Sequence, residues 1–201
     1  MVSRDGNCPR LKPDLILQGP KSSIAMGSYS DFQHGFKSII SGLTVEEKPT
    51  LLSGAADFWT TSQVPRGGIP ALKVSDGPSG ARGCQFRAKV TSACFPASVS
   101  LAASFDREVA YKVGRALGQE TKSKGAHVLL GPTVCHHRDP RGGRNLESFS
   151  EDPLLAGELA CEWIKGLQSE GVRPTLKHYA VNEQETMTSY NLVNGTHADQ
   201  H

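Results

Sequence analysis

The stretch GRNLESFSEDP, Gly143 to Pro153, decides the fold when read together with KHYAVNE, Lys177 to Glu183. Its last two residues, Asp152 and Pro153, form a helix start. The aspartate caps free backbone N–H groups, and proline fills the first helical position, where a missing donor does no harm. The helix that begins there carries Leu154, Leu155, Leu159, Trp163, Ile164 and Leu167 and runs to Gly171. A strand over 175–180 follows and holds Lys177 and His178. One arginine (Arg144), one lysine and one histidine are thereby brought to strand ends followed by helix or loop, the place where parallel α/β sheets present polar groups to a ligand.

Working outward, 106–124 gives the strongest helix signal. Val109, Ala110, Val113 and Leu117 recur at helical spacing, and Gly125 suits the position just past the end. Residues 126–130 read as a strand closed by Gly131-Pro132, and 71–75 as a buried strand closed by the turn Asp76-Gly77-Pro78. Thr44 and Glu47 form a capping box, opening a helix that Pro49 bends or cuts short before Leu52. The order strand, helix, strand, helix, strand predicts a parallel α/β sheet. Residues 1–36 read as an irregular or disordered extension.

Charge is nearly balanced, 22 basic against 20 acidic residues for a net +2, so there is no field to hold nucleic acid or a membrane surface. No apolar run is long enough to cross a bilayer. Glycine and proline gather around 65–83, 131–143 and 171–174, as loops do. Cysteines stand at 8, 84, 94, 135 and 161, an odd number without a CxxC pair. Free thiols are expected, with Cys84–Cys94 the pair that an oxidising compartment could close. The N-terminus lacks the apolar centre of a signal peptide, which points to a cytoplasmic chain, an extracellular one being the alternative.

Several polar residues could carry chemistry. Asp76 can accept hydrogen bonds from two neighbouring sugar hydroxyls, with glycines letting backbone approach; it also reads as an ordinary turn aspartate. Arg82 serves either a ligand or a loop carboxylate. Arg138, Arg141 and Arg144 crowd one loop with Asp139 and Glu147, and one arginine is expected to hold that loop through a bidentate pair. Arg144 is the expected ligand donor, with Glu147 orienting a neighbour. Strand alternation aims Lys177 and His178 at opposite faces, so both reach one ligand only if the backbone bends there. Otherwise Lys177 faces the pocket and His178 caps the core. His127, His136, His137 and Cys135 lack a second pair at ligand spacing, so neither metal nor cofactor is expected. No GxSxG elbow and no phosphate loop is present.

These motifs carry a resemblance. SDGPSGARG at 75–83, CFPAS at 94–98, AASFD at 102–106, GAHVLLGPT at 125–133, GGRNLESFSEDP at 142–153 and KHYAVNEQE at 177–185 resemble glycoside hydrolase family 3, most of all its fungal β-glucosidases. The resemblance implies an N-terminal (β/α)8 TIM-like barrel, here partial, because 201 residues fall short of the roughly 250 of a complete one. It also implies retaining hydrolysis of terminal non-reducing β-D-glucosyl residues, with two carboxylates about 5–5.5 Å apart. Carried over by position, Asp76, Arg82, Arg144, Lys177 and His178 grip the glucose. AVNEQE after Lys177-His178 fits a β-glucosidase or β-xylosidase lineage rather than the N-acetylglucosaminidase branch. The family's nucleophile lies in a Ser-Asp-Trp-like segment downstream of Lys-His, and its acid/base lies in a later domain. Neither segment is expected within this sequence, so no catalytic residue is assigned. The expected organisation is an extension over 1–36, a partial barrel over 37–185 and a non-family tail over 186–201. A non-catalytic sugar-binding remnant is the alternative reading.

Overall fold

The computed structural model describes residues 29–55, 59–83, 91–178, 192–193 and 196–197. The chain forms two compact units, Met1–Leu72 and Lys73–His201.

In the first unit, helix α1 (Tyr29–Ser41) precedes the short α2 (Glu47–Thr50). The irregular lead expected through residue 36 therefore ends earlier. Phe32, Phe36, Ile39 and Ile40 recur at steps of four, three and one, a helical spacing hidden among Ser, Gly and Gln. The capping box closes as expected: the Thr44 N–H donates to Glu47 Oε2 (2.8 Å), and the Glu47 N–H to Thr44 Oγ1 (3.2 Å). Arg66 holds the other side of Glu47 through both carboxylate oxygens and donates to the Gly42 carbonyl at 2.9 Å. Among the described residues of this unit, Leu43, Trp59 and Val64 are buried.

The second unit holds a three-stranded parallel sheet, β1 (Val74–Asp76), β2 (Val128–Leu130) and β3 (Arg173–Pro174), in the order β1-β2-β3. Asp76 pairs with Leu130, and Val128 with Arg173. A short helix α3 (Ser98–Ala102) and the long α4 (Arg107–Ser123) lie between β1 and β2, and α5 (Pro153–Ser169) lies between β2 and β3. A separate antiparallel pair joins β4 (Leu192–Val193) to β5 (Thr196–His197).

Capping residues set the helix ends as the sequence predicts. The Asp106 carboxylate accepts from the N–H groups of Glu108 and Val109, and that of Asp152 from Leu154 at 2.9 Å. Gly125 and Gly171 take positive φ just beyond the ends, +66° and +77°. The faces differ in detail from expectation. Val109 and Leu154 are exposed, while Ala110, Gly114, Leu117, Gly118 and Thr121 form the buried side of α4. The reason is contact between helices at backbone distance. A Cβ at Gly114 would come within 2.0 Å of the Trp163 carbonyl, and one at Gly166 within 2.1 Å of that of Tyr111. Small residues, not large apolar ones, therefore mark the α4–α5 seam. Trp163, Leu159, Leu167, Leu117, Leu129 and Phe149 fill the core beneath it.

The third strand is displaced from its expected place. Only Arg173–Pro174 is regular, and 175–178 continue beside the segment after β2 through single contacts. The Thr175 N–H donates to the carbonyls of Leu129 and Gly131, and the Lys177 N–H to that of Pro132. Proline at 132 offers no N–H in return, so the ladder breaks there. The expected strand's last two residues, 179–180, lie outside the described residues.

Candidate functional site

The segments leaving the carboxyl ends of all three strands meet at one rim. Thr133 forms parallel bridges to Ser148 on one side and Lys177 on the other. The extended run 133–135 thus lies between the arginine loop and the segment after β3. Thr133 and Cys135 alternate onto the buried side, with Val134 half-buried between them.

Asp76, at the end of β1, stands with Oδ1 3.2 Å from the Lys177 ammonium. The lysine side chain is 4% exposed and the aspartate 35%, so the carboxylate is the half of the pair that solvent or a ligand can reach. The loop after Asp76 is shaped by backbone proximity. Gly77 has φ +123°, and a Cβ there would lie 1.8 Å from the Gly80 carbonyl oxygen. The Arg82 N–H donates to the Asp76 carbonyl at 3.1 Å, which folds the loop back on its own strand, while the Arg82 side chain is exposed.

Arg144 grips Glu147 through one guanidinium edge, Nε to Oε1 at 2.6 Å and Nη2 to Oε2 at 2.7 Å. That hydrogen bond is the main cause of its raised pKa, and Asp76 and Cys135 are within its electrostatic reach. The arginine expected to serve loop structure is Arg141, which binds Asp139 in the same forked manner two residues away.

Lys177 and His178 are both buried, and the peptide bond joining them is cis. His178 Nδ1 lies 3.5 Å from Cys135 Sγ. Burial, then the positive charges of Lys177 and Arg144, lower the imidazole to about 4, against the opposing pull of Glu147 and Asp76. The ring is neutral at physiological pH. Burial likewise raises the Cys135 thiol, which stays protonated.

Two residues beyond those predicted hold segments around the site. Cys135 is one, and it lies past the strand that the sequence closes at Gly131-Pro132. Glu120 of α4 is the other. Its carboxylate accepts from the Ala81 N–H at 3.0 Å and the Ala93 N–H at 2.6 Å, and Lys124 donates to it at 3.0 Å. Burial raises its pKa, but the donors at Ala93, Lys124 and Ala81 outweigh burial, and the net direction is down. A single carboxylate thus ties together the two ends of the 81–93 excursion. No sequence pattern marks it, since Glu120 reads as a surface residue of an amphipathic helix.

His127 precedes β2 at the end away from Cys135, and its Nδ1 accepts from the Lys73 N–H at 3.0 Å. Among the described residues, no three His, Cys, Asp or Glu side chains are grouped to hold a metal ion. The buried atoms Thr133 Oγ1 and His137 Nε2 have no hydrogen-bond partner among the described residues. No described helix is long and apolar enough to cross a membrane.

Carboxylate, ammonium, guanidinium and neutral imidazole thus gather at the carboxyl ends of parallel strands, the side on which α/β sheets bind ligands. The sequence model of the glycosyl hydrolase family 3 N-terminal domain matches residues 32–200, and the chain belongs to that family. The match runs past residue 185, the last residue of the motifs quoted above. The chain is 52% identical over 197 residues to beta-glucosidase B of Emericella nidulans, covering 81% of this chain and 23% of that protein. It is 41% identical over 216 residues to a probable beta-glucosidase J of Aspergillus fumigatus, covering 90% and 24%. Among solved structures, the beta-glucosidase of Kluyveromyces marxianus in complex with glucose matches with TM-score 0.69 and 47% identity over 74% of this chain and 18% of that one. Beta-glucosidase 3B of Thermotoga neapolitana in complex with glucose matches with TM-score 0.64 and 39% identity, covering 75% and 24%. The chain spans about a quarter of the length of the curated relatives it matches. The fold is the corresponding part of a TIM-barrel-type domain, here a small parallel sheet with its helices.

Proposed function

We propose that this rim is the half-site by which a β-glucosidase grips the terminal non-reducing glucose of a β-glucoside or oligosaccharide. In this reading Asp76 accepts hydrogen bonds from neighbouring sugar hydroxyls, and Lys177 and Arg144 donate to hydroxyl oxygens. His178 contributes a neutral ring donor, and Arg82 closes the site from the loop after Asp76. The portion over 37–185 is the gripping segment, flanked by 1–36 and 186–201. The whole protein's proposed activity is retaining hydrolysis of terminal β-D-glucosyl residues. Its attacking carboxylate and its acid/base are residues other than these five.

The observation that carries the reading is the Lys177–Asp76 pair. It joins a buried ammonium to a carboxylate that is still one-third exposed, so the carboxylate is oriented yet available. Such a group suits hydroxyl recognition, for its free oxygen lone pairs can accept hydrogen bonds from a ligand. Glu147 is engaged in the same way by Arg144. The 201-residue chain is therefore expected to bind glucose weakly and to leave p-nitrophenyl β-glucoside intact. Titration with glucose by NMR or calorimetry, repeated with Asp76→Ala, tests the grip. Unchanged binding in that variant removes Asp76 from the site, and turnover by the wild-type chain overturns the assignment of these carboxylates to binding alone.

A further inference from the structure

We propose that Glu120, on helix α4, is a positioning residue for Arg82. Its carboxylate fixes the loop after Asp76 and so fixes where Arg82 stands. The consequence for the sugar rests on the reading above, in which Arg82 closes the site.

The residues of the rim are not held alike. Asp76 belongs to β1 and pairs with Leu130 across the sheet. Lys177 donates its backbone N–H to the Pro132 carbonyl beside β2, and the buried His178 follows it directly. Arg144 is tied by both oxygens of Glu147. Arg82 instead stands in a loop outside any strand, its side chain exposed between two buried neighbours, Ala81 and Gly83. The place of Arg82 is therefore set by its backbone.

That backbone is fixed from two sides. From β1, the Asp76 carbonyl accepts from the Arg82 N–H at 3.1 Å, and Ser75 Oγ accepts from the Gly83 N–H at 3.0 Å. From α4, Glu120 Oε2 accepts from the Ala81 N–H at 3.0 Å, while Oε1 accepts from the Ala93 N–H at 2.6 Å. The segment around Ala93 packs on the loop in turn. Ser92 Oγ donates to the Ala81 carbonyl at 3.1 Å, and the Phe95 N–H to that of Ser79 at 2.9 Å. A Cβ at Gly80 would lie 2.3 Å from the Ala93 carbonyl oxygen, so the two segments meet at backbone distance. With one oxygen for each amide, a single carboxylate sets both segments against the helix and against each other. Lys124, one turn further along α4, donates to Oε1 at 3.0 Å, and the two side chains of that pair are only 10% and 14% exposed. A charged acceptor holds its amides more strongly than a neutral one.

The test has two parts, both on the 15N-labelled 201-residue chain. Without sugar, backbone heteronuclear NOEs read the order of the loop. In the wild type, the Ala81, Arg82 and Ala93 amides are expected to be as rigid as those of α4. Mobile Ala81 and Ala93 amides overturn the inference before any variant is made. Glu120→Gln keeps the size of the side chain but leaves a single acceptor oxygen for two amides. It is expected to loosen the loop at Arg82 while α4 keeps its values. Unchanged order at Arg82 in Glu120→Gln overturns the inference. Loss of order along α4 as well assigns Glu120 to the fold at large and also overturns it.

Glucose titration then asks whether Glu120 acts through Arg82. Glu120→Gln is expected to weaken glucose binding about fivefold, the scale of ordering one side chain on binding. In an Arg82→Ala background the same change is expected to have no further effect, because the group it places is gone. Equal losses with and without Arg82 overturn the coupling. Absence of glucose binding by the wild-type chain overturns the proposed function alone, and the sugar-free readings still decide the placement of Arg82.

Discussion

The Lys177 ammonium and the Asp76 carboxylate, 101 positions apart in the chain, meet at 3.2 Å above the end of β2. The two residues belong to the outer strands' segments of a three-stranded sheet, so their contact spans the middle strand. Replacing Lys177 by Ala removes a buried cation and leaves the carboxylate partly in water. The expected loss is about 1–3 kcal/mol, less than for a wholly buried pair because Asp76 can rehydrate. Urea unfolding of Lys177→Ala and Asp76→Asn checks this, and a loss below measurement error in Lys177→Ala would contradict it.

The histidine at the rim makes stability depend on acid. The folded chain holds His178 at about 4, from an ordinary value of 6.5. Between those values the unfolded chain binds a proton that the folded chain refuses, so stability rises with pH there. His178's share is complete above about 6.5 and is lost as pH falls towards 4. The shift corresponds to something on the order of 3 kcal/mol. Denaturation midpoints at pH 7 and pH 4.5 are expected to converge in His178→Gln relative to wild type.

The seam between α4 and α5 gives a contrast among glycines. Gly114→Ala and Gly166→Ala would each drive a methyl group into a carbonyl of the facing helix, at 2.0 and 2.1 Å. Overpacking of this kind costs about 1–3 kcal/mol or more, which outweighs the gain of about 1 kcal/mol in helix propensity. Gly157, also in α5, has nothing within 4 Å of its would-be Cβ. Gly157→Ala is expected to stabilise the chain by up to about 1 kcal/mol. Thermal unfolding of the three variants orders them.

Glu120 is expected to matter beyond its own helix. Glu120→Ala frees the Ala81 and Ala93 amides, and hydrogen exchange at those two positions should accelerate while amides in the middle of α4 keep their protection. The stability loss is expected at about 1.5–3 kcal/mol, as for hydrogen bonds to a charged acceptor. Uniform acceleration across α4 would show that the carboxylate supports the helix and not the loop.

Much of this was legible from the sequence. Asp106, Asp152, Pro153, Gly125 and Gly171 announce helix ends by local chemistry alone, and the helices begin and end there within a residue or so. The strand, helix, strand order likewise fixes a parallel sheet. What the sequence hid depends on contacts between distant segments. The buried face of α4 is read wrongly at Val109 because the partner helix approaches too closely for large side chains, a fact held by Gly166 more than fifty residues away. The shortness of β3 depends on Pro132 in its neighbour. At the rim, Asp76, Lys177 and His178 stand out in sequence by type and position. Cys135 and Glu120 do not, because their significance lies in which backbone or ring atom they face.

The middle strand also acts as a ruler. Neighbouring strands of a sheet stand about 4.8 Å apart, so groups from the two outer strands start roughly 10 Å from each other. The lysine stem and the aspartate side chain together close that gap. The distance between the rim's carboxylate and its ammonium is therefore calibrated by backbone hydrogen bonding in the sheet. The loops that follow can change length or sequence while this dimension stays fixed.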